Sequence, residues 1–258
     1  MSRQPSPLVA QRNEGLLQRI RALKAEHPFW GYRRIWAYLR FIEQQAVNKK
    51  RIWRLMREHR LLVAPNGQLK AKRPPTQSKP KPTKPDEWWS IDMTKGLVEG
   101  FGWVHIVVVL DWYTNKIVGY EVGLRCTTQQ CLAALDRAVN RQFPAGARGQ
   151  GLSLMSDNGC QPTSMACMQA CNILAIHQVF TSDNNPKGNV DTERVIRTLK
   201  EECLWLHEWT SPFTLASALE RWIDAYNEHD LHSALGYKPP RQFEREYRSS
   251  HGTQFTAA

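Results

Sequence analysis

Two aspartates in this sequence lie in or directly after short apolar segments, where carboxylates are uncommon. Asp92 lies in "WWSIDMTKG", whose alternation predicts a strand with Ser90 and Asp92 on one face and large apolar side chains on the other. A carboxylate in such a strand needs a cation or several hydrogen-bond donors. Asp157 ends "LSLMSDNG", and α/β proteins build their sites at strand ends. Both are therefore candidates for metal chemistry.

Asp157 also has a purely structural explanation. The Asn158–Gly159 pair that follows it predicts a tight turn, and an aspartate at this position can cap its own loop. Asp111, which ends "HIVVVLD", is explained adequately by the hairpin turn predicted after it. The residues alone leave Asp157 open between a turn and a site.

A helix predicted after Gly188 supplies the remaining acids. At 100° per residue its buried stripe is predicted to comprise Val195, Ile196, Leu199, Cys203 and Leu206. One flank of that stripe carries Glu193, Arg197 and Lys200, and the other carries Asp191, Thr198 and Glu202. A carboxylate beside two cations suits a metal site next to bound phosphates, but it is equally typical of an (i, i+4) salt-bridged helix. The helical angles leave both flanks open.

The elements that must position these acids read as an α/β domain. From Trp88 onward the pattern predicts a strand, a hairpin turning at Thr114–Asn115, a helix in "TTQQCLAALDRAVNRQF" and the short strand before Asp157. A helix in "TSMACMQACNIL", a strand in "AIHQVF" and the long helix follow. This order predicts a mixed sheet covered by helices.

The front of the chain predicts a small all-α domain. "EGLLQRIRALKAEH" and "YRRIWAYLRFI" place apolar residues at helical spacing, the second through Ile35, Trp36, Leu39 and Ile42. "VNKKRIWRLMREHRLL" offers Asn48 as an N-cap, with Ile52, Leu55 and Met56 on one face of a basic helix. This outline is that of a helix-turn-helix module. An ordinary helical hairpin with a solvated basic face is the alternative.

Charge favours nucleic acid as the partner. Residues 1–85 hold 20 Lys and Arg against 4 Asp and Glu, whereas residues 86–258 hold 15 against 20. A basic front half suggests a polyanion-binding module joined to a domain of another kind. No acid occurs from His59 to Pro85, and six prolines lie among the Lys and Arg of that stretch, which predicts an extended linker.

Composition bounds the remaining possibilities. The chain has no apolar run of membrane-spanning length and no apolar signal-like segment at Met1–Gln18, so a cytoplasmic, nucleoid-associated protein is expected. The six cysteines lack C-x-x-C spacing, and we expect buried free thiols rather than a zinc site.

Taken together, these motifs resemble one family over nearly the whole chain. They are Asp92 in "SIDMT", Asp157 in "SDNG", 35 residues between Asp157 and Glu193, and Lys200 after six more. "HPFWGYRRIWAYLR", "LDWYTNKIVGYEV" and "AYNEHDLHSALGYKPPRQF" add to the likeness. The sequence resembles the D-D-(35)-E transposases of bacterial insertion sequences. It is most similar to their integrase-like second-reading-frame (OrfB) type, relatives of retroviral integrases with an RNase H-like fold.

The resemblance implies a set of sites, cofactors and partners. Its metal-binding catalytic acids fall on Asp92, Asp157 and Glu193, with Asp191 as a minor rival, and imply two Mg²⁺ ions for which Mn²⁺ should substitute. Double-stranded DNA, as element terminal repeats and target, is the implied partner of a homo-oligomer. A fusion with an upstream reading frame is also implied. The expected DNA contacts are Arg33, Arg34, Lys49, Lys50, Arg51, Arg54, Arg197 and Lys200.

The expected organisation and activity follow from this likeness. Residues 1–63 should form the helix-turn-helix-like domain, 64–86 the basic Pro-rich linker, 87–207 the RNase H-like core and 208–258 a C-terminal helical extension. The enzyme should cleave element ends to expose a 3′-OH and join them to target DNA. The alternatives are a nuclease of the same fold that cuts without joining, and a DNA-binding regulator or inactive element remnant.

Overall fold

A computed structural model describes residues 7–63, 80–181 and 190–251. The chain divides into two compact units, Met1–Lys72 and Arg73–Ala258. Most of the predicted linker, residues 64–79, lies outside the described residues, as do residues 1–6, 182–189 and 252–258. The predicted domain boundaries remain predictions.

The described part of the first unit, residues 7–63, is helical. Its helices are α1 (Pro7–Glu26), α2 (Tyr32–Ala37), which continues as a π-helical turn (Tyr38–Ile42), and α3 (Lys49–Glu58). Asn48 caps α3 as predicted, because its side-chain oxygen accepts the N–H of Lys50 at 2.8 Å. The shared core consists of Leu16, Ile20, Leu23, Ile35, Leu39, Ile52, Leu55 and Met56.

One residue of the predicted apolar stripe of α2 is in fact exposed. Ile42 is 50 % exposed, whereas Ile35 and Leu39 are fully buried. The cause is the π-helical turn Tyr38–Ile42, whose wider hydrogen-bonding pattern rotates the last residues away from the angles of a regular α-helix. The apolar spacing that includes Ile42 in the sequence therefore does not bring it into the core.

The second unit contains the predicted mixed sheet of five strands. They are β1 (Trp88–Val98), β2 (Gly102–Asp111), β3 (Ile117–Gly123), β4 (Ser153–Ser156) and β5 (His177–Phe180). The order across the sheet is β3-β2-β1-β4-β5. Strands β1, β2 and β3 pair antiparallel, while β4 runs parallel to both β1 and β5. The predicted hairpin and α/β class are confirmed.

Helices cover both faces of this sheet. They are α4 (Thr128–Gln142), α5 (Met165–Ile173), α6 (Val190–Leu199) with a π-helical turn (Lys200–Leu204), α7 (Pro212–His229), a 3₁₀ turn (Ser233–Leu235) and α8 (Pro240–His251). Trp89 and Ile91 point toward the core shared with α4 and α5, as the alternation of β1 predicted. Met155 and the apolar residues of α6 and α7 form the core on the opposite face.

The buried stripe of the helix that carries Glu193 differs from the prediction at one residue. Val195, Ile196, Leu199 and Cys203 are buried, but Leu206 is 39 % exposed and Leu204 is buried in its place. The helix closes with the π-helical turn Lys200–Leu204, so the regular 100° spacing does not extend to Leu206.

Side-chain contacts of α7 and α8 tie the C-terminal helices to the sheet. The Asn227 amide accepts the N–H of Ile117 and donates to its carbonyl, each at 3.0 Å. Glu244 pairs with Lys116, and Arg248 binds Asp86 at 2.8 Å. These contacts hold the "AYNEH" segment of α7 against the start of β3 and α8 against the loop before it.

Two further sequence expectations concern cysteines and membranes. All six cysteines are free thiols; four are buried as expected, whereas Cys126 is half-buried and Cys160 is exposed. Within the three described ranges, no helix is both long enough and apolar enough to cross a membrane.

Candidate active site

Parallel pairing of two strands brings Asp92 and Asp157 together. The last paired positions of β1 and β4 are Ser90 and Met155, and each acid lies two residues further along its own segment. Neighbouring strands lie about 4.8 Å apart, and residues two apart share a face of the sheet. This register places Asp92 and the loop that carries Asp157 at the same end of β4, and the charge of Asp157 acts on the pKa of Asp92.

Helix α6 brings Glu193 to the same edge. Thr192 is buried, and its hydroxyl contacts the Ser90 hydroxyl, while the Trp112 indole N–H donates to Thr192 Oγ1 at 3.4 Å. Glu193 follows Thr192 directly and is exposed. The contact between α6 and β1 thus places Glu193 near the strand that carries Asp92.

The pKa of Asp92 responds to the charges of the other predicted site residues. The half-buried Asp92 has its pKa raised to about 6, chiefly by burial, while the Met93 N–H that it accepts at 2.7 Å opposes the rise. The charges of Asp157 and Glu193 raise this pKa further, and Lys200 lowers it. The other three predicted residues are therefore within electrostatic reach of Asp92.

Asp157 makes the turn contact that the sequence left open. Asp157 is exposed, and one of its oxygens accepts the Gly159 N–H at 3.0 Å. Asn158 donates to the Thr181 carbonyl at 2.9 Å, which fastens this loop beside the end of β5. Among the residues that the structure describes, no three His, Cys, Asp or Glu side chains already converge on one point. The turn contact engages one oxygen of Asp157, and a carboxylate has a second oxygen that can accept or coordinate.

The rest of the predicted α6 flank is close to this edge. Arg197 is exposed, and Lys200, the first residue of the π-helical turn, is half-buried. Asp191, on the other flank, lies 3.7 Å from the Arg194 guanidinium. A helical salt bridge thus engages Asp191, the rival that the sequence left open.

Helix α3 presents a single exposed basic face. Lys50, Trp53, Arg54 and Arg57 are all exposed and follow the i, i+3, i+4, i+7 spacing of one helix face, opposite the buried Ile52, Leu55 and Met56. The Arg57 guanidinium lies 4.5 Å from the centre of the Trp53 ring. Trp53 and Arg57 were not among the predicted DNA contacts, although a helical wheel drawn from the Asn48 cap places both on this face.

The other residues of the first unit that were predicted to bind DNA contact side chains within that unit. Arg51 binds the Asn13 side-chain oxygen at 3.0 and 2.8 Å. The Lys49 ammonium lies 4.1 Å from the centre of the Trp36 ring, and Arg34 lies 5.0 Å from that of Trp30. Arg33, which is exposed, lies 5.3 Å from the ring of its neighbour Tyr32. Arg51 thus has a structural role that charge alone did not predict.

Family models match most of the chain. An integrase core domain model matches residues 82–186, a second integrase core domain model matches residues 174–240, and an HTH-like domain model matches residues 11–68. The two integrase matches together contain Asp92, Asp157 and Glu193. The HTH-like match contains α2 and α3 whole.

Similar proteins of known description agree with these matches. The chain is 25 % identical over 240 residues to the transposase InsD for insertion element IS2A/D/F/H/I/K of Escherichia coli, covering 90 % of this chain and 78 % of that protein. A simian T-cell lymphotropic virus intasome, solved in complex with PP2A regulatory subunit B56 gamma, is similar with a TM-score of 0.52 and 17 % identity over 81 % of this chain and 73 % of that chain.

The catalytic core domain of BIV integrase has a TM-score of 0.49 and 21 % identity, covering 66 % of this chain and 99 % of that chain. The intasome likeness supports the RNase H-like fold of the core. The chain is thus a homologue of the insertion-element transposases, with an HTH-like domain followed by an integrase core.

Proposed function

We propose that this transposase homologue cleaves element ends to expose a 3′-OH and joins those ends to target DNA. The observation that supports the proposal is electrostatic: Asp157, after β4, and Glu193, on α6, both act through their charges on the pKa of Asp92 on β1. Phosphoryl transfer of this type needs no covalent intermediate, since water and then the freed 3′-OH act as nucleophiles. The protein must only hold the reacting groups in line.

The three acids fit a divalent-metal site by their chemistry. Carboxylate oxygens are the ligands that Mg²⁺ prefers. Burial, and to a smaller extent the charges of Asp157 and Glu193, raise the pKa of Asp92, and a bound cation would offset both effects. Two bound Mg²⁺ ions would stabilise the attacking and leaving oxygens of an in-line displacement, and Mn²⁺ would substitute. Asp92 would supply the fixed ligand because it is held in a strand, whereas Asp157 and Glu193 are exposed and can adjust.

Cationic side chains would hold the DNA around this site. Lys200 lies within electrostatic reach of Asp92, and Arg197 is exposed on the same flank of α6 as Glu193. Each would bind phosphate oxygens next to the scissile bond. In the first unit, the exposed face of α3 formed by Lys50, Trp53, Arg54 and Arg57 would enter the major groove of the terminal repeats.

Assembly and location follow as parts of the same proposal. Joining two element ends requires that they be held together, which favours a homo-oligomer on DNA at the nucleoid. A fusion with an upstream reading frame would add end recognition to the chain.

Plasmid nicking tests the chemistry without knowledge of the ends. Purified protein is incubated with supercoiled plasmid and Mn²⁺ or Mg²⁺, beside Asp157→Asn as the matched control. We expect nicked circles from the wild type only, with equal DNA binding and equal thermal unfolding in both proteins. Equal nicking by both would remove Asp157 from the site.

Strand transfer separates a transposase from a nuclease of the same fold. The substrate is a labelled duplex with a pre-cut 3′-OH end, mixed with target plasmid. Once a terminal repeat that binds has been found, we expect the label to become covalently joined to the plasmid. Nicking without joining would support the nuclease.

A further inference from the structure

Two hydroxyl groups meet inside the apolar interface between α6 and β1. Ser90 and Thr192 are both fully buried, and their hydroxyls are hydrogen-bonded across a separation of 102 residues. The Trp112 indole N–H donates to the same Thr192 oxygen at 3.4 Å. Trp112 is itself stacked on Trp88, with ring centroids 5.8 Å apart.

This contact differs in kind from its surroundings. The neighbouring contacts of α6 with the sheet come from Val195 and Leu199, aliphatic side chains whose burial is favourable but not directional. A hydrogen bond between two short side chains is directional, and a buried hydroxyl that loses its partner is penalised. The pair therefore fixes where α6 lies along β1, which the aliphatic contacts do not.

The chain positions of the two hydroxyls connect this contact to the candidate active site. Ser90 lies two residues before Asp92 on the same face of β1, and Thr192 directly precedes Glu193. A displacement of Thr192 relative to Ser90 would carry Glu193 with it. Displacements of about 1 Å around a reacting centre can reduce rates about 100-fold.

We propose that Ser90 and Thr192, oriented by Trp112, are positioning residues that set the separation of Asp92 and Glu193. The inference rests on the proposed function, because it concerns how two of its metal ligands are held. The hydroxyls touch neither metal nor DNA in this scheme. They act by fixing the helix that carries one ligand against the strand that carries the other.

The test compares hydroxyl removal with methyl removal on the same helix. Thr192→Val keeps the shape of the side chain and removes the hydroxyl, whereas Thr192→Ser keeps the hydroxyl and removes a methyl group. Ile196→Val is the matched control, because it shortens a buried side chain of α6 and leaves both hydroxyls in place. Mn²⁺ affinity is measured on the full-length proteins by the loss of the free-ion electron paramagnetic resonance signal. The Mn²⁺ concentration for half-maximal plasmid nicking is measured in parallel.

We expect Thr192→Val to weaken Mn²⁺ binding and raise the half-saturating concentration about tenfold or more, as loss of supporting contacts around metal ligands commonly does. Thr192→Ser and Ile196→Val should stay within about twofold of the wild type. If Thr192→Val fails to fold, Ser90→Ala removes the other hydroxyl and gives the same readout. Where both single variants fold, the double variant Ser90→Ala/Thr192→Val should lose no more than the worse of the two.

The possible results separate the inference from the proposed function. Wild-type Mn²⁺ affinity in Thr192→Val, or an equal loss in Ile196→Val, overturns the positioning role while leaving the metal site intact. A wild type that neither binds Mn²⁺ nor nicks plasmid overturns the proposed function, and the positioning role with it.

Discussion

Asp111 is a buried carboxylate that should make the stability of the second unit depend on pH. It is 1 % exposed at the end of β2, and it accepts N–H groups from Asp86 at 2.6 Å and from Tyr113 and Thr114 at 2.8 Å. Burial, and next the charge of Asp86, raise the pKa of Asp111 from 3.8 to about 6, in spite of these donors. The perturbation that tests this is Asp111→Asn.

Linkage between proton binding and folding gives the sign and size of this pH dependence. Because the folded pKa lies above the unfolded value of about 3.9, the stabilising contribution is complete below about pH 4 and is lost as the pH rises through 6. At about 1.4 kcal/mol per pH unit, this difference corresponds to about 3 kcal/mol at most. The Asn variant cannot ionise, so its free energy of unfolding should rise relative to the wild type by up to that amount between pH 4 and pH 7.

Urea denaturation followed by tryptophan fluorescence measures this difference. Both proteins are unfolded at intervals from pH 4 to pH 7.5, and the free energies are subtracted at each pH so that the other carboxyl groups largely cancel. In Asp111→Asn the new amide retains an acceptor for Tyr113 and Thr114 but offers an N–H toward Asp86, so a constant offset between the proteins is expected. A difference that stays flat across the pH range would refute the assignment of a raised pKa to Asp111.

Four further predictions concern DNA recognition and packing. Arg54→Ala should weaken DNA binding across sequences and lower by about one the slope of the log binding constant against log salt concentration, whereas Trp53→Ala should alter base preference at an unchanged slope. Fluorescence anisotropy at several salt concentrations measures both effects. An unchanged slope in Arg54→Ala would remove Arg54 from the interface. Gly119→Ala should destabilise the second unit by about 1–3 kcal/mol, because the new methyl would lie 2.4 Å from the Ala134 carbonyl oxygen; wild-type stability in urea would contradict this close approach. Asn227→Ala should cost about 2–4 kcal/mol by leaving the Ile117 N–H and carbonyl unpaired, and a loss below about 1 kcal/mol would show that these groups find other partners.

Local periodicity was sufficient for the elements that carry the candidate site. The alternation of β1 indicated the correct face for Asp92, and the short apolar segment before Asp157 is the strand β4. Periodicity does not say which strands pair, however. The adjacency of Asp92 and Asp157 depends on the parallel pairing of β1 with β4, which is set by long-range packing.

The wrong burial prediction for Leu206 and the exposure of Ile42 have one cause. Ile42 and Leu206 both fall at the end of helices that close with a π-helical turn, at Tyr38–Ile42 and Lys200–Leu204. Extending the 100° spacing through such a turn assigns the wrong face. Neither segment contains a Gly or Pro that would have indicated the change.

Contacts between distant residues account for what the sequence could not predict. Arg51 is one of the predicted DNA contacts, and its bond to Asn13, 38 residues earlier, could not be predicted from local pattern. The Ser90–Thr192 hydrogen bond joins residues 102 apart, and no local pattern distinguishes either hydroxyl from an ordinary surface one. Such pairs become apparent only when the elements are packed.

Variants on the two flanks of α6 test most directly whether Glu193 is a metal-binding catalytic acid. Glu193→Gln and Asp191→Asn are compared with the wild type in the Mn²⁺-dependent nicking of supercoiled plasmid, after equal thermal unfolding has been verified. If Glu193 is a metal-binding catalytic acid, Glu193→Gln should abolish nicking, whereas Asp191→Asn should retain it within a fewfold because Asp191 pairs with Arg194. Nicking that persists in Glu193→Gln, or that is lost only in Asp191→Asn, would contradict the proposed site.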